Sequence, residues 1–207
     1  LSQGGRFIRQ LVYISTTGVY GDCEGALIDE TRAVNPQSLR AQRRVSAEIQ
    51  IRAWAMKTGV STHILRVPGI YAQDRLPLDR IRRGTAALQE TDDVYTNHIH
   101  ADDLARLIKW TIYRAKPQRV VNACDDSQMK MGDYFDAVAE VFQLPKPPRL
   151  SKKELASTVD PMMLSFMSES RRIQNHRLRE MGFHLQYPTV DDYLSFISKY
   201  LLSPHNG

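Results

Sequence analysis

Val12 to Gly21 reads VYISTTGVYG, an apolar run rich in β-branched and aromatic residues that stops abruptly in two threonines and a glycine-bracketed loop. Its first half belongs to Gln10 to Ser15 (QLVYIS), whose nearly continuous apolar character suits a strand buried on both faces of a parallel sheet. Thr16 to Asp22 then leaves the strand as a loop. Downstream, Leu39 to Thr58 lacks Pro and Gly and carries Val45, Ile49, Ala53 and Met56 at helical spacing, so it is expected to form a long amphipathic helix that Gly59 ends. Val60 to Val67 (VSTHILRV) reads as a second interior strand, closed by Pro68 and Gly69. Strand, helix, strand is the order of an α/β fold.

The remainder continues in the same style. Arg75 to Leu88 predicts a short helix with a turn at Gly84, and Val94 to Ile99 a small strand. Asp102 or Asp103 is expected to cap a helix through Leu104, Leu107, Ile108 and Ile112. Arg119 to Ala123 predicts one more strand and Met129 to Phe142 an amphipathic helix broken by Pro145 to Pro148. Asp160 to Met181 and Val190 to Leu202 supply the last helices. There is no internal repeat.

Composition narrows the class of protein. With 207 residues, 42% of them apolar, the chain can bury a substantial core. The net charge of +5 resides largely in Arg40 to Arg52 and Arg171 to Arg179, where it fits solvated helix faces better than a nucleic-acid footprint. No apolar run approaches the roughly 20 residues that cross a bilayer, and Leu1 to Gln10 carries no leader signature. Cys23 and Cys124 lack metal or disulfide spacing, which favours a reducing compartment. We therefore expect a cytoplasmic protein that engages neither nucleic acid nor membrane.

Four motifs occur in a telling order: VYISTTGVYG, RAQRRVSAE (Arg40 to Glu48), LRVPGIY (Leu65 to Tyr71) and IHADDLA (Ile99 to Ala105). In order and spacing they resemble the extended short-chain dehydrogenases, the NAD-dependent epimerase/dehydratase superfamily. VNACDD (Val121 to Asp126), SESRRIQNHRLREMGF (Ser168 to Phe183) and YPT (Tyr187 to Thr189) resemble the C-terminal part of its atypical members. The resemblance implies a Rossmann-like, doubly wound parallel sheet whose N-terminal strands are missing from this chain. Residues 1–72 would be the C-terminal part of the dinucleotide-binding domain, with the strand at 119–123 joining its core. Residues 73–207 would mainly form a smaller α/β substrate domain. It further implies NAD or NADP as cofactor, with the phosphate-binding Gly-rich turn upstream of residue 1. Gly4 and Gly5 precede a strand instead of following one, which is the wrong place for that turn.

By the same resemblance Thr16 stands where the family has its catalytic Ser or Thr, although a strand-end threonine also serves simply to satisfy backbone groups. The usual Tyr-x-x-x-Lys pair falls on Arg40 and Arg44. Guanidinium stays protonated at neutral pH, so neither can shuttle a proton to an alcohol. Both can still bind ribose or phosphate oxygens, or else decorate a solvent-facing helix. The resemblance assigns Ser15, Thr16, Arg44, Pro68 and Gly69 to the cofactor, and Thr17, Tyr20 and Ile70 to the substrate, with Tyr20 in the family mostly a packing and rim residue. Sugar-nucleotide enzymes of the family commonly carry Asn at Gly69 and Arg at Thr96, so another small polar substrate is favoured. His98 and His100 share one strand face, but without a third nearby ligand no metal site is expected. Arg171, Arg172 and Asn175 read as a polar face, and Met162, Met163, Phe166 and Met167 as a core cluster. Two functions stay open: an NAD(P)-dependent oxidoreductase, epimerase or dehydratase with an atypical active site, or a non-catalytic NAD(P)-binding or assembly protein. A homodimer through helix 39–58 is the candidate assembly.

Overall fold

A computed structural model of the chain describes residues 8–159, 164 and 167–202. Its centre is a parallel three-stranded sheet in the order β1 (Gln10–Thr16), β3 (Ser61–Val67), β8 (Arg119–Asn122). Between β1 and β3 the chain makes a single 3-10 turn (Thr17–Tyr20), the short β2 (Leu27–Ile28) and the long α1 (Leu39–Thr58). Ser38 caps α1 by accepting from the Ala41 amide, and Gly59 ends it in the left-handed conformation. In the ladder Thr16 stands opposite Val67, and Arg66 opposite Asn122. The end of β1 therefore lies beside the Pro68–Gly69 turn.

After β3 come β4 (Gly69–Tyr71), α2 (Leu78–Arg82), β5 (Ala87–Leu88), β6 (Tyr95–Thr96), β7 (His98–His100) and α3 (Ala101–Arg114). Beyond β8 follow β9 (Met129–Lys130), α4 (Met131–Val141), β10 (Arg149–Leu150), α5 (Lys152–Leu155), β11 (Arg172–Ile173), α6 (His176–Glu180) and α7 (Val190–Ile197). The small strands pair β4 with β7, β5 with β10 and β2 with β11 in parallel, and β6 with β9 antiparallel. One apolar core lies on the sheet, where Leu65, Val67 and Val121 meet Leu104, Leu107 and Phe183. A second forms around Tyr71, Phe135, Val138, Tyr193 and Ile197, where α4 packs on α7. Among the described residues no helix is long and apolar enough to cross a membrane.

Several elements depart from expectation. The apolar stripe of α1 is rotated: Ala41, Glu48, Ile51 and Ala55 face inward, while Ile49 and Met56 are 61% and 78% exposed. A buried ion pair, described below, recruits Glu48 to the inner side. Val94 to Ile99 is two strands, because the Asn97 side chain turns away to donate to Arg171 O and accept from Ile173 N. The cap of α3 is His100, whose Nδ1 accepts from the Asp102 amide. Asp103 is instead fully buried and accepts from the amides of Gln186 and Tyr187 and from Arg106. Asp160 to Met181 is not one helix, since β11 interrupts it by pairing with β2, a tertiary contact that outweighs local helix propensity. Helix α7 continues as a π-helical turn, Ser198–Leu202. Gly4, Gly5, Met162, Met163 and Phe166 lie outside the described residues. Met167 is buried with Leu88 and Leu155.

His98 and His100 sit in a nest of rings: His98 is 4.4 Å from Tyr134, and His100 is 4.4 Å from Tyr193 and 4.5 Å from Tyr187. Burial holds the His98 imidazole down to about 4, so it is neutral at physiological pH. Among the described residues no group of three or more His, Cys, Asp or Glu is placed to hold a metal. Below this nest Asp125 accepts from the Ser127 amide, and its second oxygen is buried without an acceptor role. Burial pushes its carboxyl up to about 7.

Two predictions follow from this packing. Gly21 has φ +67°, and an added Cβ would lie 2.2 Å from the Asn35 carbonyl oxygen, whereas a Cβ at Gly59 meets nothing within 4 Å. Gly21→Ala should lower stability by about 1–3 kcal/mol or more, and Gly59→Ala by only about 1 kcal/mol, in urea unfolding. Asp125 has a folded-state pKa above its unfolded value, so its contribution is greatest below about pH 4 and is lost as pH rises through about 7. Asp125→Asn should gain on the parent by up to roughly 1 kcal/mol per pH unit between pH 5 and 7. Melting curves at these pH values with a constant difference would refute the assignment.

Candidate active site

The sheet's C-terminal edge opens into a cavity of about 620 Å³. Thr16, Thr17 and Gly18 supply one wall, Arg40, Ala41 and Arg44 of α1 another, and Pro68 and Gly69 the floor beside β3. The far wall comes from Pro77 and Arg80, from Tyr95 to Asn97, from Met131 and Phe135 of α4, and from Glu169 and Arg171. A crevice outside the carboxyl ends of parallel strands is where open α/β sheets bind ligands.

A buried polar lattice fixes the near walls. Arg66 of β3 clasps Glu48 of α1 with two hydrogen bonds, Nε to Oε1 at 3.2 Å and Nη2 to Oε2 at 2.7 Å, and both side chains are buried. Ser15 donates to the same Glu48 Oε1 at 2.6 Å. Arg66 also lies 4.8 Å over the Tyr20 ring, and the Tyr20 hydroxyl donates to Asn122 Oδ1 at 2.7 Å. Helix α1 is thus locked in rotation and height against β1, β3 and β8.

This lattice sorts the predicted residues. Thr16, Thr17, Arg40, Arg44, Pro68 and Gly69 come together on the cavity; Ser15, Tyr20 and Ile70 do not. Ser15 is committed to Glu48. Tyr20 is a core residue beneath the loop, and burial raises its pKa, so it stays a phenol. Ile70 packs on the sheet core. Thr16 serves in two ways: its Oγ1 accepts from the Gly18 amide at 3.2 Å, capping the 3-10 turn, and the same residue lines the cavity. Among the described residues nothing accepts its hydroxyl proton. Exposed Arg44 donates to the Tyr13 hydroxyl at 3.1 Å and to Ile14 O at 3.3 Å, which draws it along the end of β1.

Arg80, Tyr95, Glu169 and Arg171 were not singled out as site residues by their sequence. Arg171 belonged to an expected polar face that the fold disperses. Arg171 reaches the cavity, Arg172 lies 5.1 Å over the Tyr95 ring, and buried Asn175 donates to Cys124 O and Asp126. The β11–β2 pairing, which spans most of the chain, together with the Asn97 side chain, brings Arg171 to the site.

The sequence profile of the NAD dependent epimerase/dehydratase family matches residues 4–124, more than half of the chain, and the chain belongs to that family. Its fold is the Rossmann-like α/β fold of that family. The chain is 28% identical over 182 residues to protein YeeZ of Escherichia coli K12, covering 87% of this chain and 60% of YeeZ. It is 31% identical to a conserved protein of unknown function from Silicibacter pomeroyi, with a TM-score of 0.82 over 94% of this chain and 67% of that one. Human epimerase family protein SDR39U1, solved with NADPH, matches at a TM-score of 0.73 and 13% identity over 93% of this chain and 66% of that one, a likeness of fold. The chain thus spans about three-fifths of the curated relative's length.

The Glu48–Arg66 pair is the site's structural hinge. Glu48→Gln leaves a buried guanidinium without its counter-charge and should cost about 3–5 kcal/mol in urea unfolding. A cost under about 1 kcal/mol would show that α1 is positioned by other contacts.

Proposed function

We propose that the chain forms the nicotinamide end and substrate pocket of an NAD(P)-dependent oxidoreductase, epimerase or dehydratase acting on a small polar substrate. The observation carrying this reading is that Thr16, Arg44, Pro68 and Gly69 line one cavity whose far wall mixes polar and apolar side chains. The residues present fit the cofactor's nicotinamide end. A Cβ at Gly69 would sit 3.3 Å from the His98 ring and 3.4 Å from Asn97 O, so glycine there lets β4 pack closely on β7 while the Pro68–Gly69 backbone lines the cavity. Arg44 and Arg40 would hold ribose or phosphate oxygens, and the Pro68–Gly69 backbone would lie beside the carboxamide. When bound, such a cofactor supplies hydride transfer.

Thr16, with its hydroxyl proton still to give, would orient a substrate oxygen by donating to it. The arginines cannot exchange protons at neutral pH, so the acid or base comes from another lining group. Tyr95 and Glu169 are the described lining side chains whose chemistry allows it. Residues 1–72 with the strand at 119–123 would serve the dinucleotide and residues 73–207 mainly the substrate, in keeping with one sheet for the former and the separate α4–α7 core for the latter. On the outer side of α1, exposed Leu39, Ile49 and Met56 offer an apolar strip that a second copy of the chain would cover.

The second reading, a non-catalytic NAD(P)-binding or assembly protein on the same fold, draws support from the two arginines at the Tyr and Lys positions. The experiments separate them. NADH and NADPH binding is read by fluorescence, and turnover is measured against a panel of carbonyls and alcohols. Under the catalytic reading Thr16→Val lowers kcat by about a hundredfold or more and Thr16→Ser restores most of it. Cofactor binding without turnover, with activity appearing in the Arg40→Tyr, Arg44→Lys double variant, would establish the second.

A further inference from the structure

We infer that the cavity contains an oxyanion subsite built by Arg80 and Arg171, which selects substrates carrying a phosphate ester or a carboxylate. The inference builds on the reading of this cavity as the substrate site.

Arg80 is buried on α2, at 8% exposure. Its Nη2 donates to Ala86 O and its guanidinium lies 4.8 Å over the Phe135 ring. Its Nε–H is buried with no acceptor, and no carboxylate pairs with it among the described residues. The charge that acts on it is a like one, Arg83, and burial already works against its protonated form. An arginine nevertheless stays cationic, and a buried cation without a counter-ion costs several kcal/mol. Buried charges in folded proteins are normally paired, so an unpaired one beside a cavity calls for an anionic ligand.

Arg171 repeats the pattern from the opposite side of the chain's topology. Its Nη1 donates to Gly21 O at 2.8 Å and to Glu169 Oε2 at 2.7 Å, while its Nε–H is buried without an acceptor among the described residues. Both arginines line the same cavity as Arg40 and Arg44, and among the described residues Glu169 is its single lining carboxylate. That carboxylate is ion-paired with Arg171. The described lining is therefore electropositive, and with the two Nε–H groups closed off from the cavity, Arg80 Nη1 and Arg171 Nη2 are the donors left for a ligand. Planar forks of this kind recognise phosphate and carboxylate by paired hydrogen bonds. Met131 and Phe135 beside them give the ligand's carbon body an apolar surface.

The test uses inorganic phosphate and, separately, acetate, against chloride at matched ionic strength, with binding followed by thermal shift and calorimetry. Phosphate, acetate or both should raise Tm above the chloride control, and whichever binds more tightly identifies the headgroup. Arg171→Gln and Arg80→Gln should each weaken that binding about ten- to a hundredfold. Arg171→Lys and Arg80→Lys, which keep the charge without the fork, should fall between. Exposed Arg82→Gln should change nothing. Because Arg80 also packs on Phe135, circular dichroism monitors folding, and if the Arg80 variants unfold the Arg171 pair decides.

Equal stabilisation by chloride, or binding unchanged in Arg171→Gln, would overturn the subsite. Loss of anion binding under saturating NADH or NADPH would overturn it too, by assigning the charge to the cofactor's own phosphates. If neither nucleotide binds and the arginine-dependent anion site persists, the cofactor reading fails and the subsite stands; the reverse result rejects the subsite alone.

Discussion

The two-point clasp between Arg66 on the central strand and Glu48 on the long helix governs the geometry of everything around the cavity. Both groups are out of water, and a buried pair of this kind contributes little net stability once desolvation is counted. What it supplies here is specificity. A carboxylate facing inward at position 48 admits one rotation of α1, in which Ala41, Ile51 and Ala55 are buried and Arg40 and Arg44 come to the cavity rim. The same carboxylate takes the Ser15 hydroxyl, so the next residue, Thr16, leaves the strand at a set height.

From this clasp the polar lattice extends to the far side of the sheet. Arg66 covers Tyr20, Tyr20 binds Asn122, the Asn122 amide donates to Glu30, and its side chain donates to Gln174 O. Arg177 of α6 meets Glu30 and donates to Val120 O. Segments separated by more than a hundred residues are thereby tied to the strand ends. That connection is what allows β11 to lie beside β2 and carries Arg171 to the cavity. Buried polar groups with mutual partners are costly to rearrange, which makes such a lattice a good device for holding a site whose walls come from distant parts of the chain.

The electrostatics of the cavity separate it from the acid–base arrangement implied by the family resemblance. On the proposed alignment, Arg40 and Arg44 would stand where the family has a phenol and an ammonium, and the far wall adds two more guanidinium groups. Permanent positive charge suits holding oxyanions, whereas proton transfer requires a group that titrates. On the proposed reading, a site of this composition would bind through arginine and would leave the proton to hydroxyl or carboxyl neighbours.

Local signals made much of the architecture readable. The run from Gln10 to Ser15, the helix from Leu39 that Gly59 ends and the strand ending at Pro68 are written in short-range patterns, because apolar runs, helical spacing and glycine or proline stops act between close neighbours. Strand β1 itself, expected to be buried on both faces, is an edge strand of the described sheet with mostly half-buried residues. The motif order around Thr16, Arg40, Arg44 and Gly69 likewise pointed to the family before any coordinates. That Ser15 and Tyr20 turn away from the cavity is not legible locally, because nothing adjacent in sequence reveals Glu48 and Asn122 as their partners. The inward turn of Glu48 contradicts the apolar periodicity of α1, since its reason, Arg66, lies on another element. Tyr95 and Arg171 reach the cavity through pairings of strands two residues long, whose register no local pattern encodes, and Arg80 reaches it through the packing of α2. Element type follows from the chain's near-neighbour chemistry; the composition of the cavity follows from long-range polar contacts that exist only once the chain has closed on itself.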